Sequence, residues 1–462
     1  MKKKESQYLR GNNKGLSMSI TDLEWYKSNS PSWKNPDLKG LDVDGSRYHS
    51  REFMDMEWKH MWPKVWLLMG REDEIPMPGN YQMEEFGRES FLMIRQKDNK
   101  IRSFYNVCQH RGARLTFNDL GNAETFKCPY HGWQWRIDGE LIEAQDAEDF
   151  PEGNPCGKLK LEEVKTETFA GFIWINMDKN AAPLKEWLGP VWNEWDAYEI
   201  HSWKRYVAQT VNVPCNWKII LDNFNESYHL PTVHAPERAV TKRRMPSGVD
   251  TSYRNTQFDL SDEGHNRMIM RAGYGSMQED GTIEDPLYSV MQEWGMNPDD
   301  YLGKGHETRE AIQKAKRHNG AERGYSHYKN LRDEQLTDAF HYTLFPNFAV
   351  SLWADGFHFL RAKPHPTNPE KCIFDNWWYS SNPDKEDAPV RTTVGISKRG
   401  EYADRDFFDL GEKSLGQTID QDTAVFILQQ HGLRSRGFNR AYFAGQEKRI
   451  RRFHEMIESY FE

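Results

Sequence analysis

Apolar residues recur with different periods along the chain, and the changes of period predict its elements. From Arg47 to Trp66 the large apolar residues Phe53, Met56, Trp58, Met61 and Trp62 stand at mixed three- and four-residue spacings, which predicts an amphipathic helix with its aromatic face on the core. Between about Val65 and Asn176 the pattern shifts to short alternating runs, Tyr81 to Phe86, Ser90 to Arg95, Ile101 to Val107 and Gly171 to Asn176. Gly, Asp and Asn turns divide them, so this part predicts a small antiparallel β unit. Ala182 to Ile200, rich in Trp and acidic residues, reads as a connecting helix, Tyr206 to Asn212 as a strand and Trp217 to Tyr228 as a second helix. Glu237 to about Arg332 is hydrophilic and broken; its charge-rich run from Gly303 to Arg323 reads as a solvated helix or mobile lid. Phe340 to Leu352, Gly356 to Pro364 and Ile373 to Ser380 then alternate like antiparallel strands. Gly445 to Phe461 sets Lys448, Arg449, Arg451 and Arg452 opposite Ile450, Phe453 and Met456, as an amphipathic helix does. Residues 1 to about 45 are polar and punctuated by Asn, Gly and Pro, and read as a mobile arm followed by a short helix. Helices and antiparallel strands in separate blocks make the fold class α+β.

Composition narrows the picture. A chain of 462 residues exceeds one ordinary core and implies two or three domains. Aromatics make up 13% of it, so the core and any apolar pocket rest on large rings. A formal net charge of -9 without a sustained basic stripe excludes a nucleic-acid partner. Met1 to Lys4 is basic but no apolar run follows, and the longest apolar stretch, Phe169 to Met177, is too short to span a bilayer, so the expected address is the cytoplasm with no membrane contact. Gly273-Tyr274-Gly275 lacks the third glycine and a preceding strand of a dinucleotide loop. Three of the five cysteines, Cys156, Cys215 and Cys372, are scattered, which makes a disulfide framework an unsuitable reading.

The other two cysteines carry the candidate chemistry. Cys108-Gln109-His110 is followed after seventeen residues by Cys128-Pro129-Tyr130-His131, with Arg111-Gly112 closing the first loop and Gly132-Trp133 the second. Two thiolates and two imidazoles suit structural zinc as well as a [2Fe–2S] centre in which two histidines replace two cysteines on one iron. The spacing favours the cluster. Zinc loops bring paired ligands onto one ion, whereas here a Cys and a His alternate within each loop, so each loop can give a sulfur to one iron and a nitrogen to the other.

CQHRG with CPYHGW resembles the Rieske motif of the Rieske non-heme iron oxygenases, in their large or alpha subunit, and the resemblance spans about residues 45 to 455. It implies a second metal, a mononuclear Fe(II) held by two histidines and a carboxylate with coordination positions left open. Asp222 to His234 supplies His229 and His234, for which a pair of core histidines is the plain alternative. Five residues apart on an unbroken helix they would point about 140° away from each other. Pro231 predicts that the helix ends or kinks there, letting His234 swing back. In Ile419-Asp420-Gln421-Asp422-Thr423 the resemblance aligns Asp422 with the third ligand. Asp420 is the alternative, since the family shows adjacent acids here, and a helix-capping acid is the plain reading of either. Glu226 is implied as the catalytic acid that hydrogen-bonds near the iron histidine and links across a subunit boundary to His110 or His131 of a neighbour.

Beyond the arm at residues 1–45, the resemblance implies 46–64 as a leading helix on the catalytic domain, 65–178 as the antiparallel Rieske [2Fe–2S] domain and 179–462 as the catalytic domain. That last domain is expected to be an antiparallel sheet packed by helices in a helix-grip-like arrangement. Leu344-Phe345-Pro346-Asn347 resembles the family's sheet, and Phe345, Phe348, Trp353, Phe357, Phe359, Trp377 and Trp378 either line a cavity or pack the sheet. The implied function is O2-dependent hydroxylation or dihydroxylation of an aromatic or other apolar ring, as in aromatic hydrocarbon catabolism. Electrons come from a reductase or ferredoxin, so NAD(P)H serves only indirectly, and the assembly is a homotrimer with or without a small beta subunit. Oxidative O- or N-demethylation, including of a quaternary amine, uses the same ligands. From other classes come an electron-transfer iron–sulfur protein with idle His229, His234 and Asp422, and a zinc-binding interaction module.

Overall fold

Between Leu67 and Asn176 the predicted runs become strands, and two of these are covered on both faces: Leu67–Arg71 and Phe172–Asn176 are buried at every position. The strands are β1 (Leu67–Arg71), β2 (Asn80–Phe86), β3 (Glu89–Arg95), β4 (Ile101–Tyr105), β5 (Leu120–Asn122), β6 (Thr125–Lys127), β7 (Gln134–Arg136), β8 (Leu141–Glu143), β9 (Glu163–Phe169) and β10 (Phe172–Asn176). Seven of them form one sheet in the order β1-β10-β9-β4-β3-β2-β5, and β6-β7-β8 form a small separate one. This is a computed structural model, and it describes residues 33–234, 256–272, 281–283, 285, 287–381 and 389–462. The arm up to residue 32 and Gly273 to Gly275 lie outside the described residues.

The second sheet is built from β11 (Lys204–Val213), β12 (Thr256–Leu260), β13 (Asn266–Met270), β14 (Ala339–Leu344), β15 (Phe348–Leu352), β16 (Gly356–Pro364), β17 (Cys372–Ser380) and β20 (Asp406–Asp409), with β18 (Pro389–Thr392) and β19 (Gly395–Lys398) as a separate hairpin. Among the described residues its order is β12-β13-β14-β15-β16-β17-β11-β20. Only β11 and β20 pair in parallel there; the other pairs are antiparallel.

The helical predictions hold with shifted boundaries. The leading helix is split into Ser46–His49 and α1 (Arg51–Met56) by Ser50, whose side chain accepts the Phe53 amide, and continues as wider and tighter turns to Lys64. The connecting helix is two, α2 (Leu184–Leu188) and α3 (Pro190–Asp196), because Gly189 takes a positive φ of 52° just before Pro190. α4 (Trp217–Phe224) starts where the Asn216 side chain accepts the Lys218 amide at 3.0 Å; residues 217–223 are all buried, and it packs on β15, β16 and β17. The charge-rich run is α5 (Gly305–Asn319), followed later by α6 (Gln417–Leu433) and α7 (Lys448–Ser459). On α7 one expectation fails. Arg449 is wholly buried, donating to Asn266 Oδ1, to Thr343 Oγ1 at 3.1 Å and to the Phe224 carbonyl at 3.4 Å, so the basic stripe is not a uniformly solvated face.

The two sheets share a core: Leu67, Met69, Phe91 and Met93 of the first pack in one cluster with Trp217, Ile220, Leu360 and Phe374 of the second part. Beside it runs a buried ionic seam. Glu84 of β2 accepts from Lys363 at 2.6 Å, Arg361 at 3.0 Å and Arg405 at 2.7 Å, and Arg361 also donates to Asp375 at 2.7 Å and to the Leu68 carbonyl. Burial alone pushes the Glu84 carboxyl up, but the Lys363, Arg405 and Arg361 charges hold it far below the usual carboxylate range.

Candidate metal centres and the substrate cavity

The two Cys-His loops adopt one conformation twice. In each, the cysteine amide donates to the carbonyl five residues on (Cys108 to Ala113 at 2.8 Å, Cys128 to Trp133 at 2.7 Å) and the amide of Gly112 or Gly132 donates back to the cysteine carbonyl at 3.0 Å. Those turns need the positive φ of Gly112 (77°) and Gly132 (72°). Both cysteines are buried, and the His110 and His131 rings lie 4.6 Å apart, with Trp133 stacked on His110 at 4.5 Å. Burial pushes the Cys108 thiol up, so a thiolate there needs a cation. Nδ1 of His131 is buried without a hydrogen-bond partner, as a nitrogen turned to a metal would be. A tetrahedral ion would need the four ligand atoms on one point. Among the described residues the group of three or more that closes in this way is a different one, so the loops fit a two-iron centre better than zinc.

That group is His229, His234 and Asp422, whose ligand atoms lie within 4.8 Å of one another. The expected long helix stops at Phe224, not at Tyr228, and Pro231 acts differently from its predicted role. It begins a new helical turn, Leu230–Val233, rather than ending one, and His229 and His234 flank that turn at either end. Asp422 of α6 comes from across the site: its Oδ1 stands 3.5 Å from His229 Nε2 and 3.2 Å from His234 Nε2. Asp420, the alternative, points away and accepts the Leu415 amide at 2.8 Å and the Ser414 hydroxyl at 2.5 Å.

The outer nitrogens of both histidines are held. Glu226 Oε1 faces His229 Nδ1 at 2.5 Å, while its Oε2 accepts the His229 amide at 3.0 Å and the Tyr228 amide. His234 Nδ1 faces Gln421 Oε1 at 3.0 Å, and a glutamine oxygen can only accept. Each ring therefore carries its proton on Nδ1 and turns the Nε2 lone pair inward, the tautomer metal binding requires. Gln421 was missed by sequence reasoning; its place beside Asp422 was the available signal. Burial lowers the His229 pKa, but Glu226 and then Asp422 outweigh it and raise it overall, so the site attracts positive charge. Asp422 Oδ1 is buried with no hydrogen bond, a costly state that a bound cation relieves. The residues fit a mononuclear metal.

A cavity of about 710 Å³ opens onto this triad. Phe224, Leu230, Met268, Met270 and Leu360 make its apolar wall; His341, Ser351 and His358 are among its polar lining residues, with Glu293, Lys316 and Asp355. Of the seven aromatics singled out in the sequence, Trp353 and Trp378 line the cavity, stacked at 5.5 Å, and the other five are buried in core clusters. No helix of the described residues is long and apolar enough to cross a membrane.

Comparison with known proteins matches both parts of the chain to described families. Residues 65–158 match the family described as Rieske [2Fe-2S] domain, and residues 200–462 match Ring hydroxylating alpha subunit (catalytic domain). The chain is 29% identical over 442 residues to biphenyl 2,3-dioxygenase subunit alpha of Rhodococcus jostii (strain RHA1), covering 90% of this chain and 85% of that one. It is 33% identical over 189 residues, 40% of this chain and 50% of the other, to the carnitine monooxygenase oxygenase subunit of Escherichia coli (strain K12). The fold is shared with the quaternary ammonium Rieske monooxygenase CntA in complex with L-carnitine (TM-score 0.62, 20% identity, 93% of this chain and 97% of that one). It is shared equally with naphthalene 1,2-dioxygenase with indole bound (TM-score 0.61, 20% identity, 92% and 93%).

Proposed function

The chain belongs to the Rieske non-heme iron oxygenase alpha subunits, the catalytic subunits of these enzymes, and from that premise we propose that it hydroxylates or dihydroxylates an apolar ring substrate with electrons from a separate reductase or ferredoxin. In this reading Cys108, His110, Cys128 and His131 hold the [2Fe–2S] cluster, and His229, His234 and Asp422 hold the iron. Once bound, the two centres supply single electrons and a place for dioxygen to react.

The chain's own residues do the rest. Glu226 and Gln421 keep the protons of His229 and His234 on Nδ1, so that both Nε2 atoms stay free for the metal. The Met268, Met270, Leu230 and Leu360 wall excludes water and presses an apolar frame against the triad. The observation that carries the reading is the convergent His229–His234–Asp422 set, half-buried at His229 and buried at the other two, on the wall of a mainly apolar cavity. Oxidative demethylation of an amine is the second reading, supported by the stacked Trp353 and Trp378 faces, which suit a cation. A zwitterion with a carboxylate is a poorer match, since Lys316 is the one Lys or Arg among the described lining residues while the acids Glu293 and Asp355 line the cavity too.

The test is anaerobic purification followed by iron analysis, Rieske-type electron paramagnetic resonance, and O2 uptake with product identification on a ring and amine panel with a surrogate reductase. Three irons per chain, a Rieske signal and substrate-dependent oxygenated product are expected. A colourless protein, or two irons with no oxygenated product, sinks the reading.

A further inference from the structure

One row of side chains crosses five strands in register at the floor of the cavity. Met268 pairs with His341, His341 with Ser351, Ser351 with His358, and His358 with Trp378, and all five line the cavity. Polar groups at the middle of an otherwise apolar floor are costly unless each has a partner. His341 Nδ1 meets Ser351 Oγ at 2.9 Å. His358 is different, because its hydrogen bond fixes which nitrogen carries the proton.

Asn376 donates its Nδ2 to the Leu415 carbonyl and to Gln209 Oε1, both at 2.9 Å, and the carbonyl leaves no choice of amide orientation. Asn376 Oδ1 therefore faces His358 Nε2 at 2.7 Å and must accept from it. Burial holds the His358 pKa down to about 4, so the ring is neutral and Nδ1 carries a lone pair. That Nδ1 has no hydrogen-bond partner among the described residues. Unlike His341 Nε2 it is not sealed off, and its side chain lines the cavity.

We infer that His358 is the acceptor that selects the substrate: its Nδ1 receives a hydrogen bond from an O–H or N–H carried by an otherwise apolar, ring-sized molecule. This rests on the oxygenase reading and narrows it. The matching class is phenolic, indolic or amine-bearing rings, and bare hydrocarbons and quaternary amines without a donor fall outside it. A site with a fixed acceptor rejects an analogue lacking the donor, since the acceptor is then stripped of water and left unpaired.

The probes are indole, indene and benzofuran, which share one shape and differ in offering N–H, CH2 or a ring oxygen. Binding to the anaerobic, iron-loaded enzyme is followed by isothermal titration calorimetry. Indole is expected to bind at least about tenfold more tightly than indene, with benzofuran weakest because its oxygen opposes the lone pair. His358→Leu should bring the indole-to-indene ratio close to one, and His358→Gln, which restores an acceptor oxygen, should recover part of it, with iron content checked in each. Equal binding of the three by wild type, a preference that survives His358→Leu, or binding of none of them overturns the inference. O2 uptake separates this from the underlying reading. An enzyme that oxidises indole and indene alike without discrimination stays an oxygenase and loses the His358 role, whereas selective indole binding without any oxygenated product keeps the acceptor and removes the oxygenase.

Discussion

Asp420 and Asp422 stand two residues apart on α6 and end in unrelated surroundings, because successive helical side chains rotate by about 100° and only one of the two directions faces the histidines. Asp422→Ala should therefore abolish stoichiometric binding of the third iron while the Rieske signal persists. Asp420→Ala should keep that iron and cost about 1 kcal/mol of stability, from the lost hydrogen bonds to the Leu415 amide and the Ser414 hydroxyl. Iron per chain and thermal unfolding of the two variants check this, and iron loss from the Asp420 variant alone would reverse the assignment. The triad was legible because its residue types are few and their chemistry narrow. How they are brought together was not. Pro231 in the pattern predicts a helix that ends or kinks there, whereas a proline near the start of a turn loses no hydrogen bond, and the chain has already left α4 at Phe224. Gln421 looked like a departure from an acidic pair, yet an amide oxygen beside the ligand is what His234 needs. Arg449 escaped for a similar reason: helical periodicity places it on a face but is silent about the carbonyl of Phe224 waiting there.

At the scale of elements, β16 shows what alternation can and cannot say. Gly356, His358 and Leu360 face the cavity, while the residues between and beyond them, Phe357, Phe359, Arg361 and Lys363, turn to the other side of the sheet, towards the first sheet. The period of two was readable from the sequence, and so was the existence of both sheets. Which side was the substrate floor and which the seam was not, since Phe357 and Trp378 look equally suited to either. The same strand thus builds the substrate floor and fastens the cluster-bearing sheet, through cations that converge on one carboxylate. Glu84→Gln leaves Lys363, Arg361 and Arg405 buried around a neutral group, with Asp375 and Glu74 as the remaining nearby acids. A buried charge stripped of its partner costs about 3–5 kcal/mol, so the variant should unfold at a clearly lower temperature, with the loss of the Rieske signal and of catalytic-domain structure coinciding. If the two losses separate, with the variant's stability unchanged, the seam does not fasten the sheets.

For the whole molecule the question is where electrons cross. Among the described residues no member of the two cluster loops lines the cavity, and within one chain the shared apolar core and the ionic seam join the two sheets. Each site nevertheless carries an exposed aromatic at its edge: Tyr130 against His131, 56% exposed, and Tyr228 next to His229, 60% exposed. Surfaces of this kind gain by being covered, and a head-to-tail ring of three copies would cover one with the other. Mixing inactive chains tests that arrangement directly. A Cys108→Ser chain has no functional cluster and an Asp422→Ala chain has no iron site, so neither turns over alone. If electrons stay within a chain, co-expression of the two restores nothing. If they pass to the next chain of a cyclic trimer, random assembly from equal amounts places an intact cluster beside an intact iron site at about one junction in four, and about a quarter of the wild-type rate returns. A rate indistinguishable from the separate variants, in particles shown to contain both chains, would remove the ring relay while leaving the metal assignments in place.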